Sequence, residues 1–351
     1  MKIISFVGTR PELIKNLAFC EAATGLTDLD FSVIHTGQNS GVAMADSLIA
    51  ELKIPLLEQN SHVDRSTPGS VAKSFLDFIM SCIHTYSPDV IISNTDTDTA
   101  FYTALAGAKL RVPVAHIEGG IRCDAWHNPE EINRRLADHL ADWIFTISPE
   151  DTESLLREGI SPTHVHMLGD ITLDALNIVM RRHRITASSG GYDLLTIHRQ
   201  ENANNPARLK QIIRAIESAG FPTVFPIHPR TRDTLEKAGI LKDLARSKVI
   251  EIREPQSYVQ MVELLAQSRK VISDSGGLRR EAYMLNKPII SLVPFVWFKR
   301  MNQLGFEFIA DADESKIELA IKTFNPIGSR PALFGDGQAG NRILKTLVAR
   351  I

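Results

Sequence analysis

The stretch VPVAHIEGGIRCDAWHNPEEINRRLADH, Val112 to His139, decides how the rest of the chain is read. It opens on an apolar strand signal, Val112-Pro113-Val114-Ala115-His116. It then drops into Glu118-Gly119-Gly120, a loop with too few side chains to form a core element. Asn128-Pro129-Glu130-Glu131 starts a helix, with Asn128 as N-cap, Pro129 at the first helical position and Glu131 completing a capping box. That assignment gives Glu131 a structural job and leaves Glu130 for chemistry. Arg134 follows Glu130 by four residues, so the two project from one helix face. Glu118, Glu130 and Arg134 are therefore expected to converge where a strand ends and a helix begins, the place where open α/β sheets bind ligands.

The same alternation extends in both directions. Apolar runs recur at Ile3–Val7, Phe31–His35, Val90–Ser93, Val112–His116 and Trp143–Ile147, with helix-period segments such as Ala45–Leu52 and Ser70–Ile83 between them. The pattern pauses around Gly159–Gly169, loosens at Ala187–Gly191, and restarts at Leu194–Ile197, Val224–Ile227, Val249–Ile252, Lys270–Ser273 and Pro288–Leu292. Strands alternating with helices predict parallel sheets. The expected fold is α/β, two doubly wound Rossmann-like domains with a central cleft. The first spans 1–168 and the second 169–340, and a last helix over 341–351 packs back on the first.

Composition narrows the function. The 351 residues suit two domains of ordinary size, and 44% apolar with 23% charged residues is the make-up of a soluble globular protein. A net charge of −2 leaves no electrostatic footprint for nucleic acid or an anionic membrane. Cys20, Cys82 and Cys123 form no pairable framework and no metal spacing, which suits a reducing cytoplasm. The start MKIISFVGTRPE reads as a first strand rather than a signal peptide, and no apolar run approaches membrane-spanning length.

Polar residues cluster at the ends of the expected strands. Gly8-Thr9-Arg10-Pro11-Glu12 opens a helix carrying Lys15; Thr9 and Glu12 read as a capping box, and Arg10 with Lys15 flanks an anion-ready helix start. No G-x-G-x-x-G follows the first strand, so no dinucleotide cofactor is expected. Asp96, at the next strand end, is a third carboxylate. Asp98 reads as part of the following helix start, and since no matching ligands occur elsewhere, no metal is expected. In the second half His198-Arg199 and His228 end strands as phosphate contacts. Ser275-Gly276-Gly277 opens a helix whose N–H groups can approach a phosphate, and Glu281 one turn later suits a ribose.

These motifs carry a resemblance. GTRPE with Lys15, HTGQN, HIEGGIR, PEEINR, IHRQEN, SDSGG with Glu281, and NPIGSRPALFGDGQAGNRI look together like the UDP-N-acetylglucosamine 2-epimerase family, in family order from Gly8 to Arg342. The pattern is closer to its non-hydrolysing members. The resemblance implies a glycosyltransferase-B-like fold, a homodimer, and a UDP-sugar substrate in surface polysaccharide precursor synthesis. By it Arg10, His198, Ser275 and Gly276 contact the diphosphate and Glu281 the ribose, beside the Arg199, His228 and Gly277 already read as phosphate contacts. Lys15, Asp96, Glu118, Glu130 and Arg134 line the sugar site, and His198 also steadies charge on the leaving diphosphate. The implied chemistry removes the C2 proton as UDP leaves, then adds UDP back to the glycal. A glycosyltransferase, a hydrolysing 2-epimerase and a non-catalytic UDP-sugar binding protein are the alternatives. Three departures stand out. Val293–Lys299 replaces a Thr-Glu-Arg-Pro-like run and loses its acidic residue, with Phe295 and Trp297 gained; Arg279 and Arg280 stand where Gln and Glu are usual; and SGVAMAD follows Gln38-Asn39.

Overall fold

The apolar runs fold as parallel strands, buried on both faces, which is why they read as continuous rather than alternating. The computed structural model describes residues 1–38, 42–123, 128–296, 298–328 and 330–350, with 42–44 described by backbone alone. The chain divides into two units, Met1–Ile178 with Leu333–Ile351, and Val179–Ala332.

In the first unit β1 (Lys2–Val7), β2 (Asp30–His35), β3 (Leu56–Gln59), β4 (Val90–Asn94), β5 (Val114–Ile117), β6 (Trp143–Thr146) and β7 (Val165–Met167) alternate with α1 (Arg10–Ala23), α2 (Val42–Leu52), α3 (Pro68–Tyr86), α4 (Asp98–Leu110), α5 (Pro129–Leu140), α6 (Pro149–Arg157) and α7 (Ile171–His183). The sheet order is β3-β2-β1-β4-β5-β6-β7, all pairs parallel. In the second unit β8 (Asp193–Thr196), β9 (Thr223–Pro226), β10 (Ile250–Arg253), β11 (Val271–Ser273), β12 (Ile289–Ser291) and β13 (Glu307–Ile309) form a parallel sheet ordered β10-β9-β8-β11-β12-β13. Its helices are α8 (Gln200–Ala203), α9 (Pro206–Ala219), α10 (Pro229–Lys237), α11 (Leu241–Leu244), α12 (Tyr258–Gln267), α13 (Gly276–Met284), α14 (Lys299–Gln303) and α15 (Glu314–Thr323).

Three strands that the apolar pattern does not announce, β3, β7 and β13, all lie at sheet edges. Their residues are mostly half-buried, so a short polar-containing run suffices there. The division between units falls inside α7, ten residues beyond position 168. The last helix, α16 (Ala339–Val348), belongs to the first unit. Ile343, Leu344 and Leu347 bury against Ile3, Ala18 and Phe19, and Gly340 lets the helix approach closely, since a Cβ there would lie 3.2 Å from Ala18. Among the described residues no helix is long and apolar enough to cross a membrane.

Candidate active site

The first sheet reverses its strand order between β1 and β4, so the loops leaving their carboxyl ends diverge and open a crevice. Gly8-Thr9-Arg10 leaves β1, Thr95-Asp96-Thr97 leaves β4, and Glu118-Gly119-Gly120 leaves the neighbouring β5. The polar side chains of this edge are paired. Lys15 on α1 forms an ion pair with Glu118, both nearly enclosed. Arg134 on α5 donates from Nη1 to Glu131 at 2.9 Å and from Nη2 to Asp96. Thr95 and Glu118 both adopt left-handed backbone, φ 62° and 63°, a conformation costing of order 1–3 kcal/mol for such residues. The glycines after Glu118 are needed for close packing: a Cβ on Gly119 would meet Ile144 at 2.2 Å, and one on Gly120 would meet the Asp151 carbonyl oxygen at 2.2 Å.

The structure corrects the capping-box reading of Glu131. Asn128 caps the Glu130 N–H at 3.2 Å, and the Glu131 carboxylate turns away from the helix start. Its Oε2 accepts from the Cys123 N–H at 3.1 Å, the Cys123 thiol at 3.2 Å and Arg134; its Oε1 accepts from Arg135 Nε at 2.8 Å. Glu131 is 0% exposed, whereas Glu130 is exposed. The reason is electrostatic: two guanidinium groups and two Cys123 donors outcompete one capping N–H for the carboxylate. Burial works to raise the Glu131 carboxyl, but those donors outweigh it and hold it below the usual carboxylate range. The signal was present in the spacing, since Glu131 precedes Arg134 by three residues and Arg135 by four.

A buried network supports these groups. His116 on β5 places Nδ1 2.8 Å from Asp138 and Nε2 2.7 Å from the Thr95 carbonyl oxygen. Asp138 also accepts from the Gly120 N–H at 3.2 Å and pairs with Arg122 at 2.8 Å. Burial pushes the Asp138 carboxyl up, and His116 and Arg122 more than reverse this. Arg122 and Arg135 both reach Glu158. Asp98 accepts from Asn133 at 3.0 Å in the first turn of α4. The sequence assigns no site role to Arg135 or Asp138; Asp138 finds His116, Gly120 and Arg122 on other elements, and Arg135 adds a distant partner, Glu158, to its helix neighbour Glu131.

The second sheet repeats the arrangement, its order reversing between β8 and β11. His198-Arg199 leaves β8 and Asp274-Ser275-Gly276-Gly277 leaves β11. Fully buried Asp274 ties the two loops, accepting from the His198 N–H at 3.1 Å, the Arg199 N–H at 3.2 Å and Asn202 at 3.1 Å. Ser275 caps α13 by accepting the Leu278 N–H at 3.3 Å, and Cβ positions on Gly276 and Gly277 point into open space. That start has the form of an anion cradle. Glu281 accepts from the Tyr258 hydroxyl at 2.7 Å. His228 caps α10 through Nδ1, its ring 6.2 Å from that of His198; burial, then the charges of His198 and Arg230, lower its proton affinity. The altered loop after β12 carries Phe295 and Phe298, faced by the guanidinium groups of Arg199 at 5.5 Å and Arg280 at 5.3 Å. Trp297 and Asn39-Ser40-Gly41 lie outside the described residues. Among the described residues no group of three or more His, Cys, Asp or Glu side chains is gathered as a metal site.

Two doubly wound α/β units with polar groups at each switch point place the protein in the glycosyltransferase-B-like class. The family model described as UDP-N-acetylglucosamine 2-epimerase matches residues 21–348. A UDP-N-acetylglucosamine 2-epimerase of Methanocaldococcus jannaschii is 32% identical over 362 residues, covering 99% of each chain. A UDP-2,3-diacetamido-2,3-dideoxy-D-glucuronate 2-epimerase of Pseudomonas aeruginosa is 30% identical over 357 residues, again 99% of each. The crystal structure of the M. jannaschii epimerase in complex with UDP-GlcNAc and UDP matches with a TM-score of 0.86 at 30% identity, covering 99% of this chain and 100% of that one. The chain belongs to the UDP-N-acetylglucosamine 2-epimerase family.

Proposed function

We propose that this protein interconverts the C2 epimers of a UDP-2-acetamido sugar by expelling UDP and adding it back. The observation that carries this reading is the set of three carboxylates, Asp96, Glu118 and Glu131, each paired with a cation at the carboxyl edge of one parallel sheet. C2 of a hexosamine has no neighbouring carbonyl, so its proton is not acidic enough for simple removal. In the proposed step a carboxylate takes the C2 proton, the C2–H pair forms the C1=C2 bond, and the C1–O pair leaves with UDP. Protonation of the glycal from the other face and return of UDP to C1 give the epimer. Two faces require two acid–base groups, which accounts for more than one carboxylate.

In this reading Glu131 takes the place given to Glu130 by sequence, and Lys15 and Arg134 hold the carboxylates in position. The second unit supplies the leaving-group site: Arg199, His198 and the N–H groups at Ser275–Gly277 for the diphosphate, with His228 nearby and Glu281 for the ribose. Donors aimed at charge developing on the leaving diphosphate supply a large share of such catalysis. No metal or nicotinamide enters the scheme. The protein is proposed to act as a cytoplasmic homodimer on precursors of surface polysaccharide.

The test is incubation with UDP-N-acetylglucosamine and with UDP-2,3-diacetamido-2,3-dideoxy-D-glucuronate in D₂O. Deuterium at C2 of the recovered nucleotide sugars is the expected result. Epimerisation without label would overturn the elimination scheme, and free sugar with stoichiometric UDP would move the protein to the hydrolysing members.

A further inference from the structure

Glu12 was read from sequence as a capping residue, and the structure gives it partners that capping does not require. Its Oε2 accepts from the N–H groups of Gly8 at 2.7 Å and Thr9 at 2.9 Å and from the Thr9 hydroxyl at 3.0 Å. Its Oε1 accepts from the hydroxyls of Thr97 at 2.6 Å and Thr95 at 3.4 Å. The carboxylate is 0% exposed. A capping box needs one local N–H, whereas the two threonines come from a loop more than 80 positions away.

Those two threonines flank Asp96, and Gly8 and Thr9 precede Arg10. One carboxylate thus joins the loop that presents Arg10 to the turn that presents Asp96. The turn is under strain, with Thr95 in left-handed backbone, so it needs external contacts to persist. His116 holds the Thr95 carbonyl from the other side. A second tie lies one turn further along α1, where Asn16 donates to Asn94 at 3.2 Å. Gly8 has no room to yield, since a Cβ there would lie 2.1 Å from the Thr99 hydroxyl.

We propose that Glu12 is a positioning residue that holds the Thr95-Asp96-Thr97 turn where Asp96 meets Arg134. It touches no reacting atom, and its role in turnover rests on the epimerase reading above. Two measurements on the full-length protein test it: backbone amide hydrogen exchange over residues 95–100, and kcat against KM for C2 deuterium incorporation, with UDP affinity as a control. Glu12→Gln keeps the size of the side chain but turns an N–H₂ toward donors. The expected result is faster amide exchange over 95–100, unchanged exchange over 276–284, unchanged UDP affinity, and a kcat lower by about 10²-fold, the scale of an ångström-sized misplacement. Thr97→Val removes one donor to Glu12 and also the cap on the Ala100 N–H, so it is read over 95–99, where it gives the same pattern more weakly, and Thr97→Ser restores both. Amide exchange identical to the wild type, or kcat and UDP affinity falling together as the unfolded fraction rises, overturns the proposal. The exchange arm decides the positioning whatever the substrate proves to be, and absence of C2 labelling by the wild type would count against the epimerase reading instead.

Discussion

Glu131 and Arg134, three residues apart on α5, form a buried pair whose guanidinium also reaches Asp96, so one arginine fixes two carboxylates. Arg134 is 4% exposed and Glu131 0%, a placement in which charges persist only when paired. The pairing makes Glu131 the carboxylate held ionised and aimed by its surroundings.

The contrast between Glu131 and Glu130 is the first prediction. Glu131→Gln is expected to lower C2 exchange in D₂O by roughly 10²–10⁴-fold while leaving UDP affinity intact. Glu130→Gln is expected to stay near wild type in rate and within about 0.5 kcal/mol in stability, as for other exposed positions. Equal losses from both variants would remove the assignment.

The UDP contacts proposed in the second unit carry no C2 chemistry, so UDP binding is measurable apart from catalysis. His198→Ala and Glu281→Ala should each weaken UDP by about 1.5–3 kcal/mol, the range for hydrogen bonds to charged groups. Calorimetric titrations with and without chelator should superpose. A requirement for magnesium would make Asp96 and Asp98 candidate metal ligands.

The sheet cores were legible because parallel strands buried on both faces leave unbroken apolar runs, as at Ile3–Val7 and Leu194–Ile197. The edge strands β3, β7 and β13 were not, since half-buried short strands leave no such run. At the site, residues reached along one element were visible: Lys15 after the first strand, Ser275–Gly277 at a helix start. Less legible was the direction in which Glu131 turns, because a capping box and the i+3/i+4 arginines compete for one carboxylate. Propensity favoured a cap at the helix start, and the charges of Arg134 and Arg135 on the same helix, with the Cys123 donors outside it, won. Glu12 shows the same effect in part, because its local cap forms and the distant threonines add to it.

Stability should depend on pH through two buried carboxyls of the first unit. Burial raises Glu12 to about 7 against the pull of Thr97, Gly8 and Thr9. Burial likewise raises Asp174 to about 6, although the Gly340 N–H donates to it at 2.8 Å. Both groups bind protons more tightly folded than unfolded. Their stabilisation is complete below the unfolded values near 4 and is lost as pH rises through about 6 and about 7. For Glu12 this amounts to about 3 kcal/mol. The unfolding midpoint should therefore fall between pH 5 and about pH 8, and Glu12→Gln should flatten that slope. A midpoint rising across this window in the wild type would contradict the assignment.

The last prediction concerns Arg279, which the sequence comparison marked as a departure. It is fully buried, donating from Nη1 to Glu307 at 2.5 Å and to the Ser291 hydroxyl at 2.6 Å, and from Nε to the Ser275 carbonyl oxygen at 3.2 Å. The pair thus joins β13 to the capped start of α13. Burial raises the Glu307 carboxyl and Arg279 opposes it. Removing one member strands the other charge in the core, so Glu307→Gln alone should cost about 3–5 kcal/mol. Arg279→Gln alone should also destabilise, leaving Glu307 without its cation. The double variant removes both charges together and should lose less than either single change, a positive coupling in a double-mutant cycle. Because Arg279 also holds the Ser275 carbonyl, the double variant should fold yet bind UDP less tightly than the wild type. Additive losses in the cycle would show that the two charges stabilise the fold independently, and unchanged UDP affinity would free α13 from any dependence on the pair.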